Sequence, residues 1–300
     1  MLKHEDWRGN TGGATWMHKL LIVSFRYIGL RPVYLFMGLF VVPFYLLFNH
    51  SGYLSVYHYL RRHQHFSWWK SFIYTYLNHY RFGQIILDRF AVYAGCKYEF
   101  DIDGNDIYLE LTGKPEGFII LSSHVGNYEI AGYSFVSSGK TYNALVYSGE
   151  AKTVMENRKR LLAAHNINMI HVREDMSHVF AMSSALQNGE IVSIPGDRIF
   201  GSPKHVECEF LDGKAQFPLG PYAMAVQRRI PAIAIFVMKH SLYKYKVYIR
   251  RLQPEMPEKG SRDDKAACLA QAFSQELATI LKTYPEQWFN YYEFWTDERN

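Results

Sequence analysis

The sequence predicts an α/β fold with a mixed, largely parallel sheet flanked by helices and preceded by an apolar helix that associates with a membrane. From Lys97 onward, short apolar runs alternate with amphipathic segments, which is the pattern of strands and helices in such a fold. An apolar segment, Leu20 to Phe48, comes before this region. Aromatic residues make up 16% of the 300 residues, more than a core needs and suited to a membrane interface.

The apolar segment is the first element of the chain. Its uncharged part, Val33 to Phe48, has 16 residues. At ~1.5 Å per residue it would reach ~24 Å, less than the ~30 Å hydrocarbon layer, and Pro43 should kink it. We expect a tilted or half-inserted helix with Arg26 and Arg31 at the headgroups, although a buried core helix would show a similar composition.

We divide the chain into a membrane anchor with an interfacial helical region, residues 1–96, and an α/β domain, residues 97–300. The predicted strands of the α/β domain are Phe118–Leu121, Ala144–Tyr147, Met169–Val172, Ile191–Ile194, Ala232–Met238 and Tyr245–Ile249. The predicted helices are Asn127–Val136, Thr153–His165, Met176–Asn188, Gly220–Arg228 and Asp264–Thr283.

Charge and cysteine usage narrow the possible partners. A net charge of +5 favours anionic membrane surfaces or an acidic protein, and no nucleic-acid-binding module is recognisable. The three cysteines are an odd number with no CxxC spacing, so neither a disulfide framework nor a thiolate zinc site is indicated. The histidines near residue 60 have no neighbouring carboxylate or cysteine to complete a ligand set, so we predict no metal.

The segment most suggestive of chemistry follows the strand Phe118–Leu121. His124 and Glu129 are five positions apart there, which on a regular helix would place them ~140° apart. Gly126 allows a bend and Asn127 is a good N-cap, so we expect His124 on a loop and Glu129 in the first turn of the next helix. The pair is interpreted as a general base with an orienting carboxylate, and the alternative is a strand-end histidine followed by a capping carboxylate.

Several blocks carry a family resemblance. The segment from Ile119 to Glu129 resembles the signature of the bacterial lipid A late acyltransferases, a family of the lysophospholipid acyltransferase superfamily. The likeness runs from Trp7 to Trp295, and its further blocks are Gly189–Arg198, Phe217–Pro221, Arg229–Ala232 and Tyr284–Trp295.

The resemblance implies a lysophospholipid-acyltransferase-like fold and an O-acyltransferase at the cytoplasmic face of the bacterial inner membrane. It would move a fatty acyl chain from an acidic acyl carrier protein, or from coenzyme A, to a hydroxyl of a membrane lipid or glycolipid, without a cofactor. His124 would be the base and Glu129 its orienting residue. The residues expected to bind substrate are Gly126, Asn127, Arg158, Arg173, Asp197 and Arg198.

Alternative functions stay open from the sequence. Asn290 and Glu293 stand where the lipid A enzymes commonly have tryptophan and a basic residue, so the acceptor could instead be an aryl polyene precursor or an amino-acid lipid. A membrane-associated lipid-binding protein with the same fold and no catalysis is the second reading. A hydrolase is disfavoured because the sequence has no G-x-S-x-G nucleophile elbow.

Overall fold

The structure is a computed structural model that describes residues 15–48, 50–132, 139–146, 166–199 and 203–296. Its strands are β1 (Glu99–Asp103), β2 (Phe118–Ser122), β3 (Tyr142–Val146), β4 (Ile167–His171), β5 (Ile191–Pro195), β6 (His205–Phe210), β7 (Gly213–Pro218), β8 (Ala232–Lys239) and β9 (Lys244–Arg251). Its α-helices are α1 (Thr15–Tyr27), α2 (Leu30–Phe36), α3 (Val42–Phe48), α4 (His50–His58), α5 (Trp68–Tyr93), α6 (Asn105–Thr112), α7 (Tyr128–Gly132), α8 (Ser177–Gln187), α9 (Leu219–Arg228) and α10 (Arg262–Thr283).

Seven of the described strands form one sheet in the order β1-β9-β8-β2-β5-β3-β4. Every neighbouring pair is parallel except β8 and β9. The strands β6 and β7 form a separate antiparallel hairpin. This confirms the predicted α/β class with a mixed, largely parallel sheet flanked by helices.

The central strand β2 is buried on both faces, as its uninterrupted apolar sequence requires. Ile119 and Leu121 belong to the core on one face, which α8, α9 and α10 cover. Phe118 and Ile120 belong to the core on the other face, which α1, α2 and α5 cover. Because neighbouring side chains of a strand point to opposite faces, β2 packs against a layer of helices on each face of the sheet.

The N-terminal apolar segment forms a helical run over Leu30–Phe48, 19 residues that are long and apolar enough to cross a membrane. Between α2 and α3 the run contains a π-helical turn, Met37–Val41. This turn lies just before Pro43, whose missing N–H and ring would disturb a regular α-helix, so the π-turn occupies the place of the predicted kink. Much of the run is exposed, including Leu39, Phe40 and Phe44 at about 60%.

The structure corrects some element assignments. The six predicted strands correspond to β2, β3, β4, β5, β8 and β9, whereas β1 and the β6–β7 hairpin were missed. β1 is an edge strand with alternating acidic residues, a composition depleted in strands. The predicted helix Thr153–His165 lies outside the described residues. The predicted helix Asn127–Val136 corresponds to α7, which begins at Tyr128 and is described as far as Gly132. The predicted boundary after residue 96 falls between α5 and β1, and the division into 1–96 and 97–300 stays a prediction.

Candidate active site

Two neighbouring parallel strands bring the central residues of the site together. β2 and β5 pair in register so that Ser122 lies opposite Pro195, and the Gly196 N–H donates to the Ser122 carbonyl at 2.8 Å. Each strand is followed two residues later by a polar side chain, His124 after β2 and Asp197 after β5. The carboxyl edge of a parallel sheet is where such folds place their ligands, and this position joins residues 73 apart in sequence.

His124 is held by Asp197 through two hydrogen bonds. Its Nδ1 is 2.8 Å from Asp197 Oδ1, and its backbone N–H donates to Oδ2 at 2.7 Å. The Asp197 side chain is 2% exposed and that of His124 is 20% exposed. Both carboxylate oxygens are therefore occupied by one residue, which fixes the imidazole ring in position and leaves Nε2 without a hydrogen-bond partner in the described part of the chain.

This geometry corrects the predicted partner of His124. Glu129 lies in the first turn of α7, as predicted, but its carboxylate pairs with the Arg89 guanidinium on α5 at 2.9 Å. Its side chain is 8% exposed, so the pair links α7 to α5 in a largely buried setting. The orienting carboxylate assigned to Glu129 is supplied in the structure by Asp197, which comes from the neighbouring strand rather than from the same motif.

The electrostatic setting keeps His124 neutral and Asp197 ionised. Burial lowers the pKa of His124, and the charge of Arg198 lowers it further, which together outweigh the opposite effect of Asp197. Burial raises the pKa of Asp197, but the charge and hydrogen bonds of His124 and the charge of Arg198 lower this pKa below its ordinary value. An ionised carboxylate can only accept hydrogen bonds, so the proton of the neutral imidazole is assigned to Nδ1, the nitrogen that faces Asp197. Nε2 is then free to accept a proton.

The bend between His124 and α7 forms as the sequence predicts. Gly126 has φ +53°, and a Cβ there would collide with the backbone carbonyl of Val237. Asn127 caps the helix, because its Oδ1 accepts from the Ile130 N–H at 3.2 Å. The turn at Gly126 and Asn127 is thus confirmed.

The backbone amides of Gly126 and Asn127 are used within the protein, and the substrate-binding role expected for these two residues stays a prediction. The Gly126 N–H donates to the Gln287 carbonyl at 2.9 Å, and the Asn127 N–H donates to the Val237 carbonyl at 2.7 Å. Since both amides are already used within the protein, neither is available to an oxyanion. These two residues shape the loop that carries His124.

The C-terminal segment Pro285–Trp295 supports this loop from the other side. Val125 forms an antiparallel bridge with Trp288, and the Phe289 N–H donates to the His124 carbonyl at 2.9 Å. Arg198 reaches the same segment, where its guanidinium donates to the Phe289 carbonyl at 2.8 Å. The segment therefore binds both the His124 loop and the residue that follows Asp197.

A buried polar cluster that the sequence did not reveal lies beneath the loop. Asp88 on α5 is fully buried and forms an ion pair with Lys239 Nζ at 2.5 Å. The Asp88 carboxylate also accepts from tyrosine hydroxyls of three other parts of the chain. These tyrosines are Tyr34, Tyr98 and Tyr245.

The cluster reaches the His124 loop by two routes. The Asn127 side-chain amide donates to the Tyr245 hydroxyl at 3.2 Å. The Lys239 backbone exchanges two hydrogen bonds with the Gln287 side chain, at 2.8 and 2.9 Å. The sequence signal for this cluster was Asp88 itself, which lies within the largely apolar helix segment Ile85 to Phe90. A charge buried there without a partner would be strongly destabilising.

One of the predicted arginines, Arg173, is not placed beside His124. Arg173 follows β4, which is three strands from β2, or about 14 Å at ~4.8 Å per strand. It is exposed, and its backbone N–H donates to His178 Nδ1 at 3.2 Å. Arg158 lies outside the described residues, so its predicted role stays a prediction.

The histidines near residue 60 have partners of their own. No group of three or more metal-ligating side chains is placed to hold an ion among the residues that the structure describes. The histidine contacts are His58 to Glu293, His63 to the Trp295 ring, and His65 to Asp212.

Comparison with known proteins adds a family to this geometry. The family model described as "Bacterial lipid A biosynthesis acyltransferase" matches residues 88–296. Among solved structures, the crystal structure of the 1-acyl-sn-glycerophosphate (LPA) acyltransferase PlsC from Thermotoga maritima is 14% identical. The match covers 89% of this chain and 97% of that chain, with a TM-score of 0.41. No curated protein matches the chain.

Proposed function

The chain belongs to the bacterial lipid A biosynthesis acyltransferase family and is an acyltransferase, and on that premise we propose that His124 and Asp197 transfer a fatty acyl chain from a thioester to a lipid hydroxyl. The observation that carries the proposal is the His124–Asp197 pair, in which one buried carboxylate accepts both the ring and the backbone N–H of the histidine. Nε2 of the same ring has no hydrogen-bond partner among the described residues.

The proposed reaction follows from this proton arrangement. Nε2 of His124 takes the proton of the acceptor hydroxyl as its oxygen attacks the thioester carbonyl carbon. Asp197 stabilises the imidazolium that forms, and the tetrahedral intermediate collapses by breaking the carbon–sulfur bond. The imidazolium returns the proton to the leaving thiolate, so the products are an ester and a free thiol, and no covalent intermediate with the enzyme is needed.

The proposed donor is an acyl carrier protein thioester, with coenzyme A as the second possibility. A net charge of +5 favours association with an acidic carrier protein. The proposed acceptor is a membrane lipid or glycolipid. Lipid A, an aryl polyene precursor and an amino-acid lipid are the three acceptor classes that the test below separates.

We also place the reaction at the cytoplasmic face of the bacterial inner membrane. The support is the exposed apolar run Leu30–Phe48, whose 19 residues give a length of about 28 Å at ~1.5 Å per residue. Exposed aromatic side chains at the start of α5, Trp68, Trp69 and Phe72, suit the same interface.

The first experiment tests the base. The full chain, purified in detergent, is supplied with acyl carrier protein thioester or acyl-coenzyme A and a bacterial lipid extract, and acyl transfer is measured. His124→Ala should reduce the rate by at least about 100-fold, since a positioned base contributes roughly 10²–10⁴. The matched control is His205→Ala, because His205 is an exposed histidine on β6. Equal loss in both variants, or full activity in His124→Ala, would reject the assignment.

The second experiment identifies the acceptor. Mass spectrometry of total lipids from cells with and without the gene should show one lipid class that loses an acyl chain in the deletion strain. Rescue with the parent gene, but not with His124→Ala, ties that lipid to the proposed site. Rescue by both genes would show that the lipid change does not depend on His124.

The membrane assignment needs a test that leaves the core intact. Deleting the N-terminal residues would also remove buried Leu30 and Tyr34, so substitutions on the exposed face are preferable. Aspartate at Leu39, Phe40 and Phe44 should move the protein from the membrane pellet to the supernatant, because a charge near the bilayer centre costs at least about 2.5 kcal/mol. Unchanged sedimentation of this triple variant would contradict an inserted helix.

A further inference from the structure

A cleft of about 400 Å³ lies at the start of the apolar run, away from His124. Its walls come from α2, α5 and the residues that follow β8. Arg31 and Leu35 are on the first wall, Arg81 is on the second, and Leu242 is on the third. His124 and Asp197 are not among the residues that line it.

The cleft is cationic. Its lining includes Arg31, Arg81 and Lys239 and, among the described residues, no aspartate or glutamate. Lys239 is neutralised from behind by Asp88 at 2.5 Å. Arg81 forms a longer ion pair with Glu286 at 3.8 Å through its Nε, so Arg31 is the cation of the cleft without an ion pair among the described residues, and Arg81 contributes its terminal nitrogens.

The two arginines have unused hydrogen-bonding capacity. Arg31 is exposed, and none of the ion pairs among the described residues includes it. Arg81 donates to Gln84 Oε1 at 2.9 Å through one terminal nitrogen, and its buried Nε is 3.8 Å from Glu286 Oε1, beyond hydrogen-bond distance. A guanidinium has five N–H donors, so both arginines keep terminal N–H donors for an anion with several acceptor oxygens.

The walls of the cleft are held together by direct packing. The Tyr76 hydroxyl on α5 donates to the Gly38 carbonyl at 2.8 Å, and the Tyr34 hydroxyl on α2 donates to Asp88 on α5. Gly38 also approaches the Tyr80 ring closely enough that a Cβ would be 3.0 Å from it. The cleft is therefore preformed, which reduces the entropy lost when a ligand binds.

The position of the cleft suggests the class of ligand. Arg31 is the second residue of the apolar run Leu30–Phe48, and Leu35, one turn further on, is 62% exposed. If the run enters a bilayer as proposed above, the cleft opens at the level of the headgroups and Leu35 faces acyl chains. This step rests on the proposed membrane association.

We propose that this cleft is a binding site for the phosphate group of an anionic phospholipid of the surrounding bilayer. Arg31 and Arg81 donate hydrogen bonds to the phosphate oxygens from opposite walls, and the glycerol end and acyl chains leave the cleft along Leu35. Planar guanidinium groups are the side chains best matched to phosphate in this way.

The test measures lipid binding rather than acyl transfer. The full chain in an uncharged detergent is titrated calorimetrically with dihexanoylphosphatidylglycerol, with dihexanoylglycerol, which lacks the phosphate, and with inorganic phosphate. Arg31→Gln and Arg81→Gln should each raise the Kd for dihexanoylphosphatidylglycerol by about tenfold, the expected effect of losing one charge-assisted hydrogen bond. The matched control is Arg26→Gln, which removes the same charge from an exposed position outside the cleft and should leave Kd within about twofold.

Three results would overturn the proposal. The first is equal weakening by Arg26→Gln and Arg31→Gln, which would show diffuse charge attraction. The second is binding of dihexanoylglycerol or of inorganic phosphate as tight as that of dihexanoylphosphatidylglycerol. The third is parental affinity in Arg31→Gln, an exposed position where the substitution does not threaten the fold. His124→Ala should bind the lipid like the parent, so failure of the catalytic assignment and failure of this site are distinguishable.

Discussion

Replacing Asp197 with asparagine tests the central geometry with almost no change in shape. The carboxylate accepts two N–H groups of His124, one at 2.8 Å from the ring and one at 2.7 Å from the backbone. An amide offers one acceptor and one donor, so it satisfies only one of them. If the amide oxygen keeps the backbone N–H, the NH₂ group faces Nδ1, and the ring proton moves to Nε2. In that tautomer Nε2 cannot take a proton from the acceptor.

The expected loss of activity in Asp197→Asn is the sum of two free-energy contributions. If the ring proton moves to Nε2, the imidazole is in the tautomer that cannot act as a base; if it stays on Nδ1, two donors face each other. Either arrangement costs about 1–3 kcal/mol. Loss of the negative charge beside the imidazolium removes a charge-assisted bond worth about 1.5–3 kcal/mol. Together these predict a fall in kcat of about 10²–10⁴ with little change in KM, since both bonds join His124 to Asp197 and neither is made to substrate in the proposed mechanism.

The assay compares Asp197→Asn with Glu129→Gln under identical conditions. Glu129→Gln retains an oxygen for Arg89 and lies outside the bonds of His124, so we expect at most about a tenfold loss. Circular dichroism in detergent confirms that both variants are folded. Near-parental activity of Asp197→Asn together with an inactive Glu129→Gln would refute the reasoning and restore Glu129 as the partner of the histidine.

Three further predictions use other parts of the site. In the proposed mechanism the neutral form of His124 is the base. Burial and then the charge of Arg198 lower its pKa, so kcat/KM should fall with decreasing pH only below about 6.5, and Arg198→Gln should move this acid limb to higher pH in a pH–rate profile. Lys239→Met leaves Asp88 buried without its cation and should lower the free energy of unfolding by about 3–5 kcal/mol in denaturant titrations, whereas Lys239→Met with Asp88→Asn should lose less. Gly126→Ala places a Cβ against a backbone carbonyl of β8 at φ +53°, so kcat should fall at least about tenfold, and parental kcat would show that the loop tolerates the shift.

The elements with strong periodicity were predictable from sequence. β2 reads as a continuous apolar run, and α10 has an apolar face with the capping residue Ser261 and the stop at Pro285. The turn at Gly126 and Asn127 was predictable too, because it depends on local backbone freedom and helix capping. Strand β1 was not, since an edge strand with alternating acidic residues lacks the apolar signal.

The site was predictable only in part. His124 was found from its position after a strand, and the same rule applied to β5 locates Asp197. That the two side chains meet depends on the pairing of β2 with β5, and strand order is set by packing of the whole sheet. Local spacing favoured Glu129 instead, because sequence reasoning had no access to Arg89, which reaches it from α5.

The sequence by itself determined the α/β class, the apolar N-terminal run, the family and the histidine. Only the tertiary structure decided which carboxylate holds that histidine, why the Gly126 and Asn127 amides are unavailable to substrate, and how Asp88 and Lys239 lie beneath the loop. The physical reason is the range of the interactions. Periodicity, capping and backbone freedom act within a few residues, whereas hydrogen bonds and ion pairs form between any groups that the folded sheet brings within about 3 Å.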